Sequence, residues 1–101
     1  MALTKKQVKQ LRGMGQRINP LIAIGKNDIT ETLIDQADET IEKRELVKFT
    51  VQDGSMLTAR EASEKLAEAL HAEVIQVIGN RFVLFRRSLR KDVEHIALVR
   101  E

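Results

Sequence analysis

The sequence predicts a single α/β domain in the order α-β-α-β-α-β-β, a four-stranded mixed sheet packed with helices. Three observations carry this expectation. Apolar residues recur at helical spacing in three segments, and they alternate or run unbroken in four short ones. Two Thr-x-x-Gln/Glu capping boxes mark helix starts at Thr4 and Thr58. The 101 residues suffice for one core but not for two.

Thr4-Lys5-Lys6-Gln7 opens the first helix, with Thr4 as N-cap. Val8, Leu11 and Met14 form its apolar stripe, and Gly13 and Gly15 are expected to end it. Pro20 blocks any continuation, and Leu21 to Ile24 reads as a short buried strand. The second helix follows Gly25-Lys26-Asn27-Asp28, with Leu33, Ile34, Ala37 and Ile41 inward. Leu46 to Val51 alternates as a strand, Val47, Phe49 and Val51 on one face and Lys48 and Thr50 on the other. Phe49 reads as core. Asp53-Gly54-Ser55 is a turn. Thr58 opens a third helix with Ala59, Ala62, Leu66, Ala69 and Leu70 inward. Val74 to Ile78 and Arg81 to Arg86 are strands joined by a Gly79-Asn80 hairpin. If the strands are parallel neighbours, right-handed crossovers should put the second and third helices on one face of the sheet. Residues 1–101 are thus expected to form one domain, core about 3–87, with 88–101 as an extension that adds a strand or docks as a tail.

The composition is that of a globular protein, 43% hydrophobic and 32% charged. No apolar run reaches about 18 residues, so no membrane span is expected. The N-terminus lacks the apolar stretch of a secretory signal. Absence of cysteine removes disulfides, thiolate nucleophiles and cysteine-ligated zinc. The cytoplasm is the default location.

Charge is unevenly spread. Residues 1–26 hold six basic side chains and no acid; residues 27–73 hold five bases and twelve acids; residues 74–101 hold six bases and three acids. This implies a basic face for a polyanion and an acidic face turned away from it. Lys5, Lys9 and Arg12 share one flank of the first helix, with Lys6 nearby. Catalytic groups do not converge. His71 and His95 are far apart, with His71 at the expected end of the third helix, and the carboxylates follow solvated helix faces. No phosphate-loop, nucleophile-elbow or calcium-loop pattern occurs. No enzymatic activity, cofactor, metal or small-molecule substrate is expected. The strand-to-helix loop Gly25-Lys26-Asn27-Asp28 suits an anion, with backbone N–H groups, a helix N-terminus and a mobile cation.

The segment Pro20-Leu-Ile-Ala-Ile-Gly-Lys-Asn-Asp-Ile-Thr-Glu31 resembles the signature of the CRM domain (chloroplast RNA splicing and ribosome maturation), found alone in bacterial YhbY-type proteins. The likeness continues through Val77-Ile78-Gly79, Val83-Leu84-Phe85-Arg86 and the basic first helix, over about residues 3–87. It implies a fold akin to the C-terminal domain of translation initiation factor three. It also implies RNA binding, association with precursors of the large ribosomal subunit and a role in ribosome assembly. The family's loop is Gly-x-x-Gly, comparable to the clamping loop of KH domains. Gly25 matches the first glycine, and Asp28 replaces the second. Either Asp28 caps the second helix with Glu31 at N3, or Thr30 caps it and Asp28 lies just outside. Asp28→Gly should strengthen RNA binding and lower stability. The candidate RNA-binding residues are Lys5, Lys6, Lys9, Arg12, Arg17, Gly25, Lys26, Asn27, Asp28, Arg81, Arg86 and Arg87. The strand arginines have a competing role in pairing with helix acids. With Phe49, Phe82 and Phe85 the only aromatics, base stacking should be minor and binding mainly to backbone and shape. The alternative is a protein-interaction module, its acidic helices docking a basic ribosomal partner.

Overall fold

The computed structural model describes residues 3–26 and 28–100. The element order is α1 (Lys5–Arg17), β1 (Ile22–Ile24), α2 (Glu31–Arg44), β2 (Leu46–Val51), α3 (Ala59–Leu70), β3 (Glu73–Ile78) and β4 (Arg81–Phe85). The sheet order is β1-β2-β4-β3. β1 and β2 are parallel, and the other two pairings are antiparallel, so the sheet is mixed as expected.

Side-chain alternation divides the core in two. Val47, Phe49 and Val51 of β2 join Phe82 and Leu84 of β4 beneath α2 and α3, with Ala37, Ile41, Ala62, Leu66 and Leu70 supplied by the helices. Phe49 and Phe82 are cross-strand partners whose rings stack at 4.8 Å. On the opposite face Leu46, Val83, Phe85 and Ile75 pack against Leu11 of α1. α2 and α3 share one face and α1 takes the other, although only β1 and β2 are parallel neighbours; β4 lies between β2 and β3.

Both capping boxes form. Thr4 Oγ1 accepts from Gln7 N at 3.1 Å, and Gln7 Oε1 accepts from Thr4 N at 3.0 Å. Thr58 and Glu61 repeat the exchange at α3. His71 ends α3 as its C-cap in the left-handed conformation.

Two sequence expectations need correction. Gly13 and Gly15 do not end α1, which runs on to Arg17. Gly15 is buried, and a Cβ there would lie 3.1 Å from Val83 Cγ2. The glycine lets the helix approach the sheet, and Lys48 Nζ donates to its carbonyl at 3.2 Å. Gly13 faces open space. In α3, Ala69 is exposed, whereas Ser63 is buried and Ala67 partly so. Ser63 is tolerated inside because its hydroxyl donates to Arg60 O at 2.7 Å.

Among the described residues, the C-terminal segment adds no strand. It docks as a tail on the α1 side of the sheet, with Ile96 and Leu98 against the second core. Its anchor is Glu45, fully buried at the junction of α2 and β2 with φ 65°. The carboxylate accepts from Ser88 N at 2.7 Å, Ile96 N at 2.6 Å and Arg87 Nη1 at 3.0 Å, and it meets His95 Nδ1 at 2.9 Å. Burial alone would raise the Glu45 pKa. The hydrogen bonds with His95, Ile96 and Ser88 and the Arg87 charge outweigh it and hold the carboxyl below 4.5. Glu42 is also lowered, by hydrogen bonds from Ser88 Oγ and Leu89 N.

Gly13→Ala should raise stability by about 1 kcal/mol through helix propensity, whereas Gly15→Leu should lower it by about 2–3 kcal/mol through overpacking. Urea denaturation of the two variants measures both. For Glu45 and Glu42 the folded pKa is depressed. Their contribution is therefore present above the unfolded carboxyl pKa and lost as pH falls through the folded value. Stability should drop on acidification below the ordinary 4.5. Glu45→Ala should lose about 3 kcal/mol at neutral pH, the scale of breaking a buried ion pair, and flatten that acid limb in urea titrations across pH.

Candidate nucleic-acid interface

Residues 5, 9, 12 and 16 of α1 follow one another at spacings of four, three and four, which keeps them on one flank of the helix. Lys5, Lys9 and Arg12 line a shallow groove there with Leu3 and Val8. Arg12 Nε donates to Ile75 O at 3.1 Å, so this flank overlooks β3. The opposite flank belongs to the tail. Gln10 Nε2 donates to Ala97 O at 2.8 Å, and Gln7 Nε2 donates to Val99 O at 3.1 Å. Lys6 lies on the exposed crest between the two flanks. Arg17 lies round that crest, in a groove shared with Lys43 and Arg44, away from the other α1 cations.

The loop after β1 is built by the parallel pairing. Gln52 N donates to Ile24 O at 2.9 Å, tying the ends of β1 and β2 together. Gly25 O accepts from Asp28 N at 3.3 Å. Lys26 is exposed, with its stem close to Gly54. Asn27 lies outside the described residues. Asp28 has φ 63°, in the left-handed region, which supplies the physical reason for a glycine at this position of a Gly-x-x-Gly loop. Thr30 is the N-cap of α2, its Oγ1 accepting from Leu33 N at 3.1 Å. Of the two capping alternatives, the structure therefore selects Thr30. Asp28 Oδ1 instead accepts from Ile29 N at 2.6 Å, and Oδ2 lies 3.8 Å from Lys65 Nζ. The negative charge still sits beside the start of α2.

The strand arginines divide. Arg81 is exposed at the start of β4. Arg86 pairs with Asp38 at 2.7 Å and Glu42 at 3.3 Å and also donates to Leu70 O. Arg87 pairs with Glu45, donates to Ile96 O at 2.8 Å and lies over the Phe85 ring. Both guanidinium groups are thus taken up by acids and carbonyls that hold α2, β4 and the tail together. Among the described residues, Lys5, Lys6, Lys9, Arg12, Arg17, Lys26 and Arg81 take part in no ion pair. The exposed acids Glu31, Asp35, Asp38 and Glu39 of α2, and Glu61, Glu64 and Glu68 of α3, lie on helices covering the other face of the sheet.

One feature escaped the sequence reading. α1 covers only part of its sheet face and leaves a half-open pocket of about 150 Å³, lined by Gln16, Lys48, Gln76, Ile78, Arg81 and Val83 among others. The signal available was Gln16, which continues the 5-9-12 spacing of the cations. Nothing in the sequence placed Gln76 and Lys48 beside it.

Residues 3–86 match the CRS1 / YhbY (CRM) domain. The chain is 31% identical to the "Probable RNA-binding protein YqeI" of Bacillus subtilis, over 85% of this chain and 90% of that protein. It is 28% identical to the "RNA-binding protein" of Haemophilus influenzae, over 91% of this chain and 93% of that one. The solution structure of a hypothetical protein from Staphylococcus aureus superposes with a TM-score of 0.75 at 40% identity, covering 94% of this chain and all of that one. With the match running through every helix and strand described above, the chain belongs to the CRS1 / YhbY (CRM) domain family.

Proposed function

We propose that this protein binds RNA through the α1 flank and the Gly25–Asp28 loop, that the RNA is ribosomal, from precursors of the large subunit, and that binding serves ribosome assembly. The observation that carries the RNA reading is the sorting of charge by the sheet. Exposed, unpaired cations of α1 lie on one face, and the acids of α2 and α3 lie on the other. A polyanion approaching this molecule is drawn to α1 and turned away from α2 and α3. Family membership and the RNA-binding names of its relatives support the same reading. The ribosomal part rests on the resemblance to stand-alone bacterial members of the family, and it sets the protein to work in the cytoplasm without a catalytic step.

The phosphate contacts are assigned to Lys5, Lys6, Lys9, Arg12 and Lys26, with Arg81 as an outlying member. Arg86 and Arg87 are left to their structural pairings. All three phenylalanines are buried, so stacking on aromatic rings contributes little and the backbone dominates. The acidic side of α2 and α3 suits a basic ribosomal protein, which would make the molecule an adaptor with RNA on one face and protein on the other.

Filter binding to structured ribosomal RNA across a salt series tests the assignment. With Lys5, Lys9, Arg12 and Lys26 all changed to Ala, the log–log salt slope should become shallower by about 3, close to one released counterion per cation. Unchanged affinity in that variant would sink the proposal. Crosslinking in cells, followed by sequencing of the bound RNA, should recover large-subunit precursors; enrichment of unrelated transcripts alone rejects the ribosomal role.

Asp28→Gly is the complementary variant. It removes a carboxylate beside the α2 N-terminus and should tighten RNA binding. Since Thr30 is the cap and glycine is at ease at φ 63°, stability should stay within about 1 kcal/mol of the parent. Weaker or unchanged RNA affinity would show that the loop is not an anion site.

A further inference from the structure

We propose that the half-open pocket between α1 and the sheet receives one unpaired nucleobase of the bound RNA, adenine in the first place. This rests on the RNA-binding reading above and extends it from backbone to base.

The pocket is built from two rows of side chains on the α1 face of the sheet. In the first row Gln76 pairs across with Val83, and Val83 with Lys48. In the second, two residues along each strand, Ile78 pairs with Arg81, and Arg81 with Thr50. Gln16 of α1 closes one side. Val83 is 3% exposed and forms an apolar floor. Ile78, by contrast, is 59% exposed, a large apolar side chain at the mouth of a polar pocket. The flat face of a base covers apolar surface of this kind, while its edge requires hydrogen bonds.

The hydrogen-bonding groups are present and unused. Gln7 and Gln10, on the other flank of α1, are both engaged in holding the tail. The Gln16 and Gln76 side chains have no hydrogen-bond partner among the described residues, and both line the pocket. A carboxamide offers one donor and one acceptor side by side. Two carboxamides together match adenine, whose amino group carries two N–H donors with a ring-nitrogen acceptor beside each, whereas the single ring N–H of uracil serves only one of them. Lys48 is already turned toward Gly15 O, which leaves Arg81 as the cation at the mouth.

Position makes the base part of the same RNA. The flank of Lys5, Lys9 and Arg12 runs directly into Gln16, a rise of about 16 Å from end to end. On the other side, Arg81 leads through Thr50 to Ala23, its neighbour on β1, and Gly25 lies two residues beyond. Strand spacing and rise make that step about 12 Å. A strand whose phosphates follow the α1 cations to the Lys26 loop crosses the pocket on the way.

The test compares short single-stranded oligoadenylate and oligouridylate of equal length, with structured ribosomal RNA alongside, by fluorescence anisotropy. The protein should prefer oligoadenylate by about tenfold, the discrimination of one bidentate contact. Gln16→Ala with Gln76→Ala should abolish that preference, leave oligouridylate affinity within about twofold and leave the salt slope unchanged. Gln16 is exposed and Gln76 half-buried, and an unchanged thermal midpoint verifies folding. In the parent protein, the Gln16 and Gln76 side-chain amide NMR signals should shift with oligoadenylate and stay in place with oligouridylate. Binding without base preference, a preference that survives the double variant, or binding to structured RNA but to neither oligonucleotide overturns the pocket and leaves RNA binding standing. Failure to bind any of the three RNAs overturns both.

Discussion

The two-residue alternation along β2 and β4 is the constraint on which the rest of the molecule depends. Phe49 opposite Phe82, and Val47 opposite Leu84, commit one face to α2 and α3. Leu46 opposite Phe85, and Val83 beside Lys48, commit the other to α1. A slip of one residue in this register would send each set to the wrong side. Because each helix carries its own charge, the register that builds the two cores also decides where positive and negative potential appear. Fold and electrostatic polarity are here one decision.

Glu45 plays a comparable part for the tail. A carboxylate this deeply buried needs several partners at once, and it finds them in Arg87, Ser88, His95 and Ile96. Arg86 makes the matching bond from the other direction, its backbone N–H donating to Glu45 O at 2.9 Å. The junction of α2 and β2, the end of β4 and the tail are therefore held at one point. This is why the two arginines following β4 serve architecture, although from composition alone they look like further cations for a polyanion.

The legible parts of the sequence were those governed by near neighbours. Thr4 with Gln7, and Thr58 with Glu61, are local exchanges, and both helix starts fell where those residues put them. The Gly79-Asn80 turn was equally local, with Gly79 at φ 57°. Features set by distant partners were not readable. Gly15 carries the same sequence signal whether it ends a helix or lets one lie close to a sheet, and only Val83, far along the chain, distinguishes the two. Glu45 follows Lys43 and Arg44 and looks like a surface residue, since the groups that bury it lie more than forty positions away. In α3, Ala67 and Ala69 lie at opposite edges of the apolar stripe, about 200° apart, and alanine is too neutral to reveal which edge turns inward. At the site, the α1 cations could be read from helical spacing, whereas the capping choice between Asp28 and Thr30 turned on a backbone angle. The pocket required four elements at once.

The docking of the tail along α1 has a kinetic meaning. Gln7 and Gln10 hold it from one side while Gly15 presses the helix onto the sheet from beneath. The cations on the remaining flank thus ride on a helix braced by the tail and by the sheet. A partner meeting such a surface docks nearly as a rigid body, with little rearrangement after contact. Encounter is then governed by long-range attraction and orientation, and the pace of association is set by diffusion in the field of a single helix rather than by folding of the interface.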